Sequence, residues 1–345
     1  TVRIADIANA MSEQKDKEVV CTIECKLASA TALQKAGEIV ANEELVLTDY
    51  HFPVAADLTA QPVADKKAKT QPKTASLDDR AVYAVASAAG AAYTFDKSSG
   101  YIAYIDIDGQ QITQDDSQLR PDFWRAPTDN DYGAGMQNKF AAWQNPGLEK
   151  KSFSIRQEGV NVVATAEYSL RHLEATVKLD YVLNPAGQMV VTQTLTVNPE
   201  AKNKPQLLRF GMNLKVKKAF DQIEYYGKGP RENYIDRHNS ESLAIWKQTV
   251  AEQYYPYIRP QESGNHTDVR WFRVLNAQGR GLEFYSNAPM ECSALPFLTS
   301  DLDDGSTKDK KVGRHSGDLV ERSLTQVHIQ QRQFGLGCVN SWGAW

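Results

Sequence analysis

Glu262 and His266 come closest to catalytic chemistry by residue type and spacing. They stand four residues apart in the loop-like stretch PYIRPQESGNHTDVRW, with Gly264 between them. A carboxylate and an imidazole in one loop can act as a general acid and base, and His315 could join them. A hydrogen-bonded structural pair is the favoured interpretation, because no HExxH or other helical metal spacing accompanies the two residues.

A second candidate is a cation site at Asp129 and Asp131, within the stretch FWRAPTDNDYG. Carboxylate and amide oxygens are the ligands that a hard cation prefers. No Glu closes a full calcium-type loop, and Asp and Asn between Pro and Gly are common turn residues. A structural turn is therefore the favoured interpretation.

Two further stretches suggest polar-ligand chemistry. The stretch YYGKGPRENYIDR ends at Arg237 and lacks the spacing of a phosphate loop. Its side chains could recognise sugar hydroxyls, but the favoured interpretation is that they connect long loops of the protein to one another. The terminal stretch FGLGCVNSWGAW places Trp342 and Trp345 among glycines. Such tryptophans can stack on a sugar ring or fill a core, and composition leaves both interpretations open.

The elements that must position these residues are β-strands. Val177, Leu179 and Tyr181 alternate with polar neighbours, and the turn Pro185-Ala186-Gly187 leads into a similar run. Helical periodicity is scarce, and the candidates are 136–143 and 240–246. Many strands after residue 80 predict an all-β protein, a large antiparallel sandwich rather than alternating strands and helices.

The domain organisation follows from changes in composition. Residues 1–53 carry strand patterns at 19–25 and 44–48, with a loop or short helix expected over 28–41, and we interpret them as part of an immunoglobulin-like domain. Residues 54–79 have linker composition. Residues 80–345 form the large sandwich, in which 300–317 is expected to be an exposed loop. Because residue 1 is not Met, we expect the chain to begin inside a longer polypeptide.

Composition excludes some classes of partner. The net charge is -4 with mixed signs, which argues against nucleic acid, and no apolar run is long enough to span a bilayer. The four cysteines, Cys21, Cys25, Cys292 and Cys338, form no zinc-type pattern and are interpreted as buried free thiols. The compartment is not decided by these features.

Four stretches taken together resemble one family. FWRAPTDNDYG, YYGKGPRENYIDR, PYIRPQESGNHTDVRW and GLGCVNSWG occur in this order. Together they are similar to the C-terminal small-chain domain of family 2 β-galactosidases, over about residues 80 to 345. Residues 1–50 are similar to the end of the immunoglobulin-like domain that precedes it in that family. The resemblance implies a large antiparallel supersandwich like that of galactose mutarotase.

The resemblance also implies a role. The parent enzymes are retaining glycosidases with two catalytic glutamates on a TIM barrel, and this chain shows no eightfold strand–helix alternation. We therefore expect the barrel to precede residue 1 and the segment alone to be inactive, with no catalytic residue of its own. By resemblance, Trp342 is the platform for the sugar. The usual GGDxSW reads Gly337-Cys338-Val339-Asn340-Ser341-Trp342 here, a departure that affects the turn before Trp342.

The expected binding partners follow from that role. Trp342 is the main candidate for substrate contact, with Glu262, His266 and Arg237 as further candidates. The expected partners are a galactoside through the parent enzyme, the missing barrel domain and, left open, a second copy of the chain. No cofactor is expected in this segment, whereas the parent enzyme could require divalent or monovalent cations. Two alternatives are a stand-alone carbohydrate-binding module and a mutarotase-like aldose epimerase that uses Glu262 with His266 or His315.

Overall fold

A computed structural model describes residues 17–61, 73–202, 205–303 and 315–337. The chain divides into two compact units, Thr1–Pro53 and Val54–Trp345. In the smaller unit, β1 (Val19–Lys26) pairs antiparallel with β2 (Ile39–Thr48). The predicted strands are confirmed, and residues 27–38 form a loop rather than a helix.

The smaller unit has no buried residue between positions 17 and 53. Both faces of its hairpin are open, and Ile23, Ile39 and Val46 are each about half exposed. The prediction of buried thiols is therefore wrong for Cys25, which is exposed, whereas Cys21 is half-buried and Cys292 is buried. A two-stranded hairpin has too little area to bury alternate side chains on its own.

The larger unit is built mainly of strands. In chain order they are β3 (Ser76–Asp79), β4 (Tyr83–Ala88), β5 (Ala91–Asp96), β6 (Tyr101–Ile107), β7 (Gln110–Gln111), β8 (Arg120–Asp122), β9 (Leu148–Glu158), β10 (Asn161–Leu170), β11 (Ala175–Leu183), β12 (Met189–Val197), β13 (Arg209–Lys217), β14 (Gln222–Gly229), β15 (Ser242–Thr249), β16 (His266–Leu275), β17 (Gly281–Leu295) and β18 (Leu324–Gln333). The short helices are α1 (Ala55–Thr59), α2 (Asp129–Ala134), α3 (Met136–Lys139), α4 (Ala141–Gln144), α5 (Val250–Gln253) and α6 (Thr299–Leu302), with a 3-10 turn at Ser316–Asp318.

The strands of the larger unit form three antiparallel sheets. One has the order β3-β4-β5-β6-β7, the second β12-β11-β10-β9, and the third β15-β14-β16-β17-β18-β13-β8. The all-β antiparallel class predicted from the alternating pattern is confirmed. The predicted turn at Pro185-Ala186-Gly187 is also present between β11 and β12, where Gly187 has a positive φ and its N–H donates to the Asn184 carbonyl at 3.0 Å.

Inward side chains of all three sheets share one core. On β11, Val177, Leu179 and Tyr181 are buried, whereas Thr176 and Lys178 are exposed, as the alternation predicts. Burying each such apolar side chain stabilises the fold by about 1.5–3 kcal/mol. The core continues through β6, β14, β16 and β18. A second, smaller apolar cluster consists of Ala126, Leu295, Phe297 and Leu302.

One of the two helix predictions is wrong. Residues 242–249 form strand β15, paired with β14 so that Trp246 lies opposite Tyr225. The cluster Leu-Ala-Ile-Trp suits either structure locally, and pairing with β14 decides the outcome. The other prediction, a helix over 136–143, is confirmed as helical structure, although it is divided at Phe140 into helices over 136–139 and 141–144.

The region around the predicted linker, 54–79, carries some regular structure at its ends. Helix α1 lies on the larger unit, since Asn184 donates to the carbonyl of Leu58 at 2.9 Å and Asn161 donates to that of Thr59 at 2.8 Å. Residues 62–72 and 304–314 lie outside the described ranges. Among the helices that are described, none is long and apolar enough to cross a membrane.

Candidate functional site

The first motif, residues 123–133, forms the turn from β8 into α2. Thr128 caps the helix: its hydroxyl accepts from the Asp131 N–H at 3.2 Å, and the Asp131 carboxylate accepts from the Thr128 N–H at 2.7 Å. The same carboxylate pairs with Arg125, whose Nη2 lies 3.0 Å from Oδ1, and both side chains are at most 1% exposed. Asp131 is thus engaged by a cap and a buried ion pair.

The other candidate cation ligand, Asp129, is half exposed and lies 3.8 Å from Arg259. Within residues 17–61, 73–202, 205–303 and 315–337, no group of three or more His, Cys, Asp or Glu side chains could hold a metal ion. A cation at Asp131 would have to displace Arg125, because a buried guanidinium and a cation cannot share one carboxylate at low cost.

Three side chains hold the backbone that leads toward the terminal motif. Arg125 donates to the Gly335 carbonyl at 3.2 Å, Asn130 donates to the Leu336 carbonyl at 3.2 Å, and Asp236 accepts from the Gly337 N–H at 2.7 Å. We call Arg125, Asn130 and Asp236 the C-terminal anchor. A Cβ on Gly335 would lie 2.6 Å from the Asp236 carboxylate, so a side chain there would displace Asp236.

The second motif joins the third through Glu232, which is 7% exposed. Its carboxylate accepts from the Gly264 N–H at 2.7 Å, from the Ser263 hydroxyl at 3.1 Å and from Arg237 at 2.7 Å. Tyr257 also donates to it. Arg237 is held by this carboxylate while half of its side chain stays exposed, so it ties the loops and still presents donors to solvent.

Glu262 and His266 are not brought together as an acid–base pair. Glu262 is buried and accepts from Arg209 at 2.9 Å and from Gln333 at 3.2 Å. His266 Nδ1 lies 3.0 Å from the Tyr225 hydroxyl, and burial lowers the pKa of His266 to about 4. The imidazole is therefore neutral at pH 7. His315 is exposed at the start of the 3-10 turn, where its N–H donates to Asp318 at 2.9 Å.

Sequence reasoning missed a buried charge network on the seven-stranded sheet. Arg209 donates to Asp122 at 3.1 Å and to Gln333 at 2.7 Å, and His328 Nδ1 lies 2.6 Å from the same Asp122 oxygen. Burial works to raise the pKa of Asp122, but Arg209 and His328 outweigh it and lower that pKa. The available signal was the polar face of strand β18, where Gln326, His328 and Gln330 alternate with apolar residues.

A second missed residue is Glu291 on β17. It accepts from the Asn265 amide at 3.0 Å and from the Gln333 N–H at 3.3 Å. Burial raises the pKa of Glu291 to about 7, and its hydrogen bonds only partly oppose this. Asn265 also donates to the Asn233 carbonyl at 2.9 Å, so Glu291 connects the second and third motifs to the end of β18.

The geometry brings the motifs to one region of the larger unit. The first and second motifs supply the anchor, the third is tied to the second through Glu232, and residues 335–337 of the fourth are held by the anchor. The buried carboxylates of this region are held by arginines or by backbone N–H groups. Trp342, Trp345 and the Cys338-Val339 departure lie outside the described residues.

Comparison with known proteins identifies one family profile and several relatives that share the same name. The chain matches the family profile described as beta galactosidase small chain over residues 87–345. A β-galactosidase of Priestia megaterium is 31% identical over 336 residues, which is 96% of this chain and 30% of the relative. One from Lactobacillus delbrueckii subsp. bulgaricus is 34% identical over 64% of this chain and 21% of the relative.

A more distant β-galactosidase, from Vibrio vulnificus, is 24% identical over 94% of this chain and 30% of its own length. The chain thus spans less than a third of the length of these curated relatives. The matched range 87–345 contains all four motifs and the residues that join them. The chain therefore belongs to the β-galactosidase small-chain family.

Proposed function

We propose that this chain is the C-terminal, non-catalytic portion of a retaining β-galactosidase, and that it contributes to the galactoside-binding site and to assembly with the rest of that enzyme. The observation that carries the proposal is the C-terminal anchor. Arg125 and Asn130 from one motif and Asp236 from another fix the backbone at 335–337. Five residues after Gly337 comes Trp342, to which we assign the role of a sugar platform.

The remaining candidates take different roles in this proposal. Glu262 and His266 are buried and bonded to protein groups, so they support the loops rather than contact the sugar. Arg237 keeps half of its side chain exposed and is the further candidate for a substrate hydroxyl. We assign the barrel domain, any divalent or monovalent cation and any pairing of two copies to the parent enzyme.

Two arguments support the non-catalytic part of the proposal. Retaining hydrolysis needs two carboxyl groups about 5–5.5 Å apart, one of which donates a proton, whereas Glu262, Asp122 and Asp131 are each held by a buried arginine. An aldose epimerase would need a working acid–base pair, and Glu262 and His266 are separately bonded. An epimerase that uses Glu262 with His266 therefore has no support in this geometry.

The test is Trp342→Ala in the full-length parent, measured by steady-state kinetics with lactose. We expect KM to rise by about tenfold, because a stacked aromatic platform contributes about 0.5–1.5 kcal/mol beyond its buried area. Trp342→Phe should recover much of the affinity, and Trp345→Ala is the matched control. Unchanged kinetics for Trp342→Ala would show that the platform role is wrong.

A chromogenic β-galactoside assay tests the non-catalytic role. The parent should cleave the substrate and the isolated chain should not. Cleavage by the isolated chain would overturn the proposal, and inactivity of both would mean that the parent cleaves another glycoside or is not a glycosidase.

A further inference from the structure

Strand β12 forms one edge of the four-stranded sheet, and β9 forms the other. The strand reads MVVTQTLTV and contains neither a charged residue nor a proline. Its pairing with β11 continues from Val197 to Met189 without a shift of register. Natural proteins protect an edge strand against further pairing by charged side chains, proline, a bulge or short length. Strand β12 has none of these protections.

The other described edge strands of the larger unit are protected. Strand β9 carries charged side chains along its length, among them Lys151 and Arg156, and β15 contains Lys247. The remaining edge strands, β3, β7 and β8, are only four, two and three residues long. Among the described edges of the larger unit, β12 is therefore the one to which a further strand can be added most readily.

The backbone groups on the open side of β12 are available for pairing. At the two ends of the β11–β12 hairpin, the Asn184 N–H donates to the Gln188 carbonyl at 3.1 Å and the Asn198 N–H donates to the Glu174 carbonyl at 3.0 Å. Because hydrogen-bonded pairs alternate with non-hydrogen-bonded pairs in an antiparallel ladder, the odd-numbered residues of β12 direct their N–H and C=O groups away from β11. Among the described residues, no strand pairs with that side of β12.

Gln193, at the centre of β12, carries a side-chain amide that a single copy of the chain leaves unsatisfied. Its Nε2 and Oε1 atoms are both buried and have no hydrogen-bond partner within the described structure. Val191 and Leu195, its neighbours on the same face of the strand, pack against the core. A buried amide without partners costs free energy. A partner that can both donate and accept a hydrogen bond would remove this cost.

The sequence of β12 is complementary to its own reverse. In an antiparallel pair with a two-fold axis at Gln193, Val191 of one copy lies opposite Leu195 of the other. In the same register Thr192 lies opposite Thr194. Apolar side chains then meet apolar side chains on one face and hydroxyls meet hydroxyls on the other, and both kinds of cross-strand pair are stabilising. At the axis the two Gln193 amides lie opposite each other, where each can donate to and accept from the other.

We propose that two copies of this chain associate by antiparallel pairing of their β12 strands about a two-fold axis at Gln193. The two sheets then form one continuous sheet of eight strands, four from each copy, through a contact that is the same on both sides of the axis. An unrelated extended peptide could bond the backbone groups, but a second β12 also supplies the matching amide and the matching alternation. The inference goes beyond the proposed function, because it depends neither on Trp342 nor on a galactoside.

Sedimentation equilibrium of the purified chain tests the inference, under reducing conditions because Cys25 is exposed. Between about 1 and 200 μM we expect a reversible monomer–dimer equilibrium with a Kd of about 10 μM, as suits a small interface. Thr192→Lys combined with Thr194→Lys changes two exposed residues. This double variant should raise the Kd by about tenfold or more, because like charges then lie opposite each other across the axis.

A complementary double variant tests the register itself. Thr192→Glu combined with Thr194→Glu should also associate weakly on its own. Mixed in equal amounts, the lysine and glutamate variants should form a heterodimer, because each ammonium group then lies opposite a carboxylate. Gln193→Leu should weaken association of the otherwise unmodified chain by about tenfold, since two reciprocal hydrogen bonds are lost.

The matched control lies on the opposite edge of the same sheet. Ser152→Lys combined with Ser154→Lys adds the same charges to two exposed residues of β9 and should leave the Kd unchanged, and circular dichroism should show that every variant is folded. Trp342→Ala should dimerise like the unmodified chain, so that failure of this inference and failure of the proposed function can be told apart. A monomer at every concentration, equal weakening by the β9 control, unchanged association of Gln193→Leu or absence of a heterodimer on mixing would each overturn the inference.

Discussion

At the residue scale, two buried titratable groups of the larger unit act on stability in opposite directions. The pKa of Glu291 is raised from 4.5 to about 7 by burial, so folding favours its protonated form. The pKa of His266 is lowered from 6.5 to about 4 by burial, so folding favours its neutral form. As pH rises, the Glu291 contribution is lost between about 4.5 and 7, whereas the His266 contribution is gained between about 4 and 6.5.

The free energy of unfolding thus falls with pH through Glu291 and rises with pH through His266. We expect these two effects to cancel between about pH 4.5 and 6.5 in the unmodified chain. Glu291→Gln removes the group through which the free energy of unfolding falls with pH. The stability of the variant relative to the unmodified chain should therefore improve by about 3 kcal/mol from pH 4.5 to 7.5. His266→Gln should show the reverse trend, losing relative stability as pH rises. Urea unfolding at four pH values measures both differences.

A matched control for the pH prediction is Glu167→Gln, which removes one exposed carboxylate and corrects for the change in net charge. If the difference between Glu291→Gln and the unmodified chain did not depend on pH, Glu291 would titrate as an ordinary exposed carboxyl. In that case water must reach it in solution, because burial is the first cause of its raised pKa.

The sequence could not predict which ionisable residues would pair or how their pKa values would shift, for a physical reason. The sequence indicates which residues can ionise, but a pKa depends on burial and on partners from distant strands. Arg209 and Glu262 are 53 positions apart, and Asp122 and His328 are 206 apart. Their pairing depends on how β8, β13 and β18 are ordered in the sheet, which the local pattern does not contain.

At the element scale, the contact between β13 and β18 depends on one glycine. The register of the pair shifts between Phe210 and Gly211, and a Cβ on Gly211 would lie 2.5 Å from the Cα of Gln330. The neighbouring Arg209 carries the buried charge network. Close backbone approach at this shift therefore sets where the guanidinium meets Asp122 and Glu262.

We expect Gly211→Ala to destabilise the larger unit by about 1–3 kcal/mol, because the added methyl group must displace backbone of β18. Urea unfolding followed by circular dichroism measures this change. Gly317→Ala is the matched control, since a Cβ there meets nothing within 4 Å, and it should stay within about 0.5 kcal/mol of the unmodified chain. Equal stability of the two variants would show that β18 can shift without cost.

Elements with strong alternation could be predicted from the sequence, and elements without it could not. On β10, β11 and β12 apolar and polar residues alternate over most of each strand, and these strands form where the pattern indicates them. Strand β15 was predicted as a helix, since its apolar residues cluster and Ile245 points outward, 58% exposed. β15 is the edge strand of its sheet and pairs with β14, so its structure depends on a partner strand that the local pattern does not contain.

At the scale of the whole molecule, the family could be recognised from the sequence alone, whereas a cavity of about 510 Å³ in the larger unit could not be predicted. The motifs are short runs of consecutive residues, so they can be recognised from the local sequence. The cavity is made by Tyr101, Asp122, Trp143, Tyr168 and Asn213, which belong to five different elements. Only the packing of the sheets brings them together, and no short pattern in the sequence carries that information.

The two units should differ in their ability to fold. Every buried apolar residue of the described chain lies between Ala75 and Val327, within the larger unit. The smaller unit offers one hairpin without a buried side chain, and an isolated two-stranded hairpin is at best marginally stable in water. We therefore expect polypeptide 54–345 to unfold cooperatively and polypeptide 1–53 to show no cooperative transition, as followed by circular dichroism during heating.

Thiol labelling tests independently whether the larger unit folds without residues 1–53. In the whole chain, Cys25 is exposed and should react at once, whereas Cys292 is buried on β17 and should react only after unfolding. Cys338→Ser removes the thiol that lies outside the described residues. Deletion of residues 1–53 should leave the protection of Cys292 unchanged, because the core around β17 is built from the larger unit. Rapid labelling of Cys292 after the deletion would contradict this and would mean that the sandwich needs its preceding unit in order to fold.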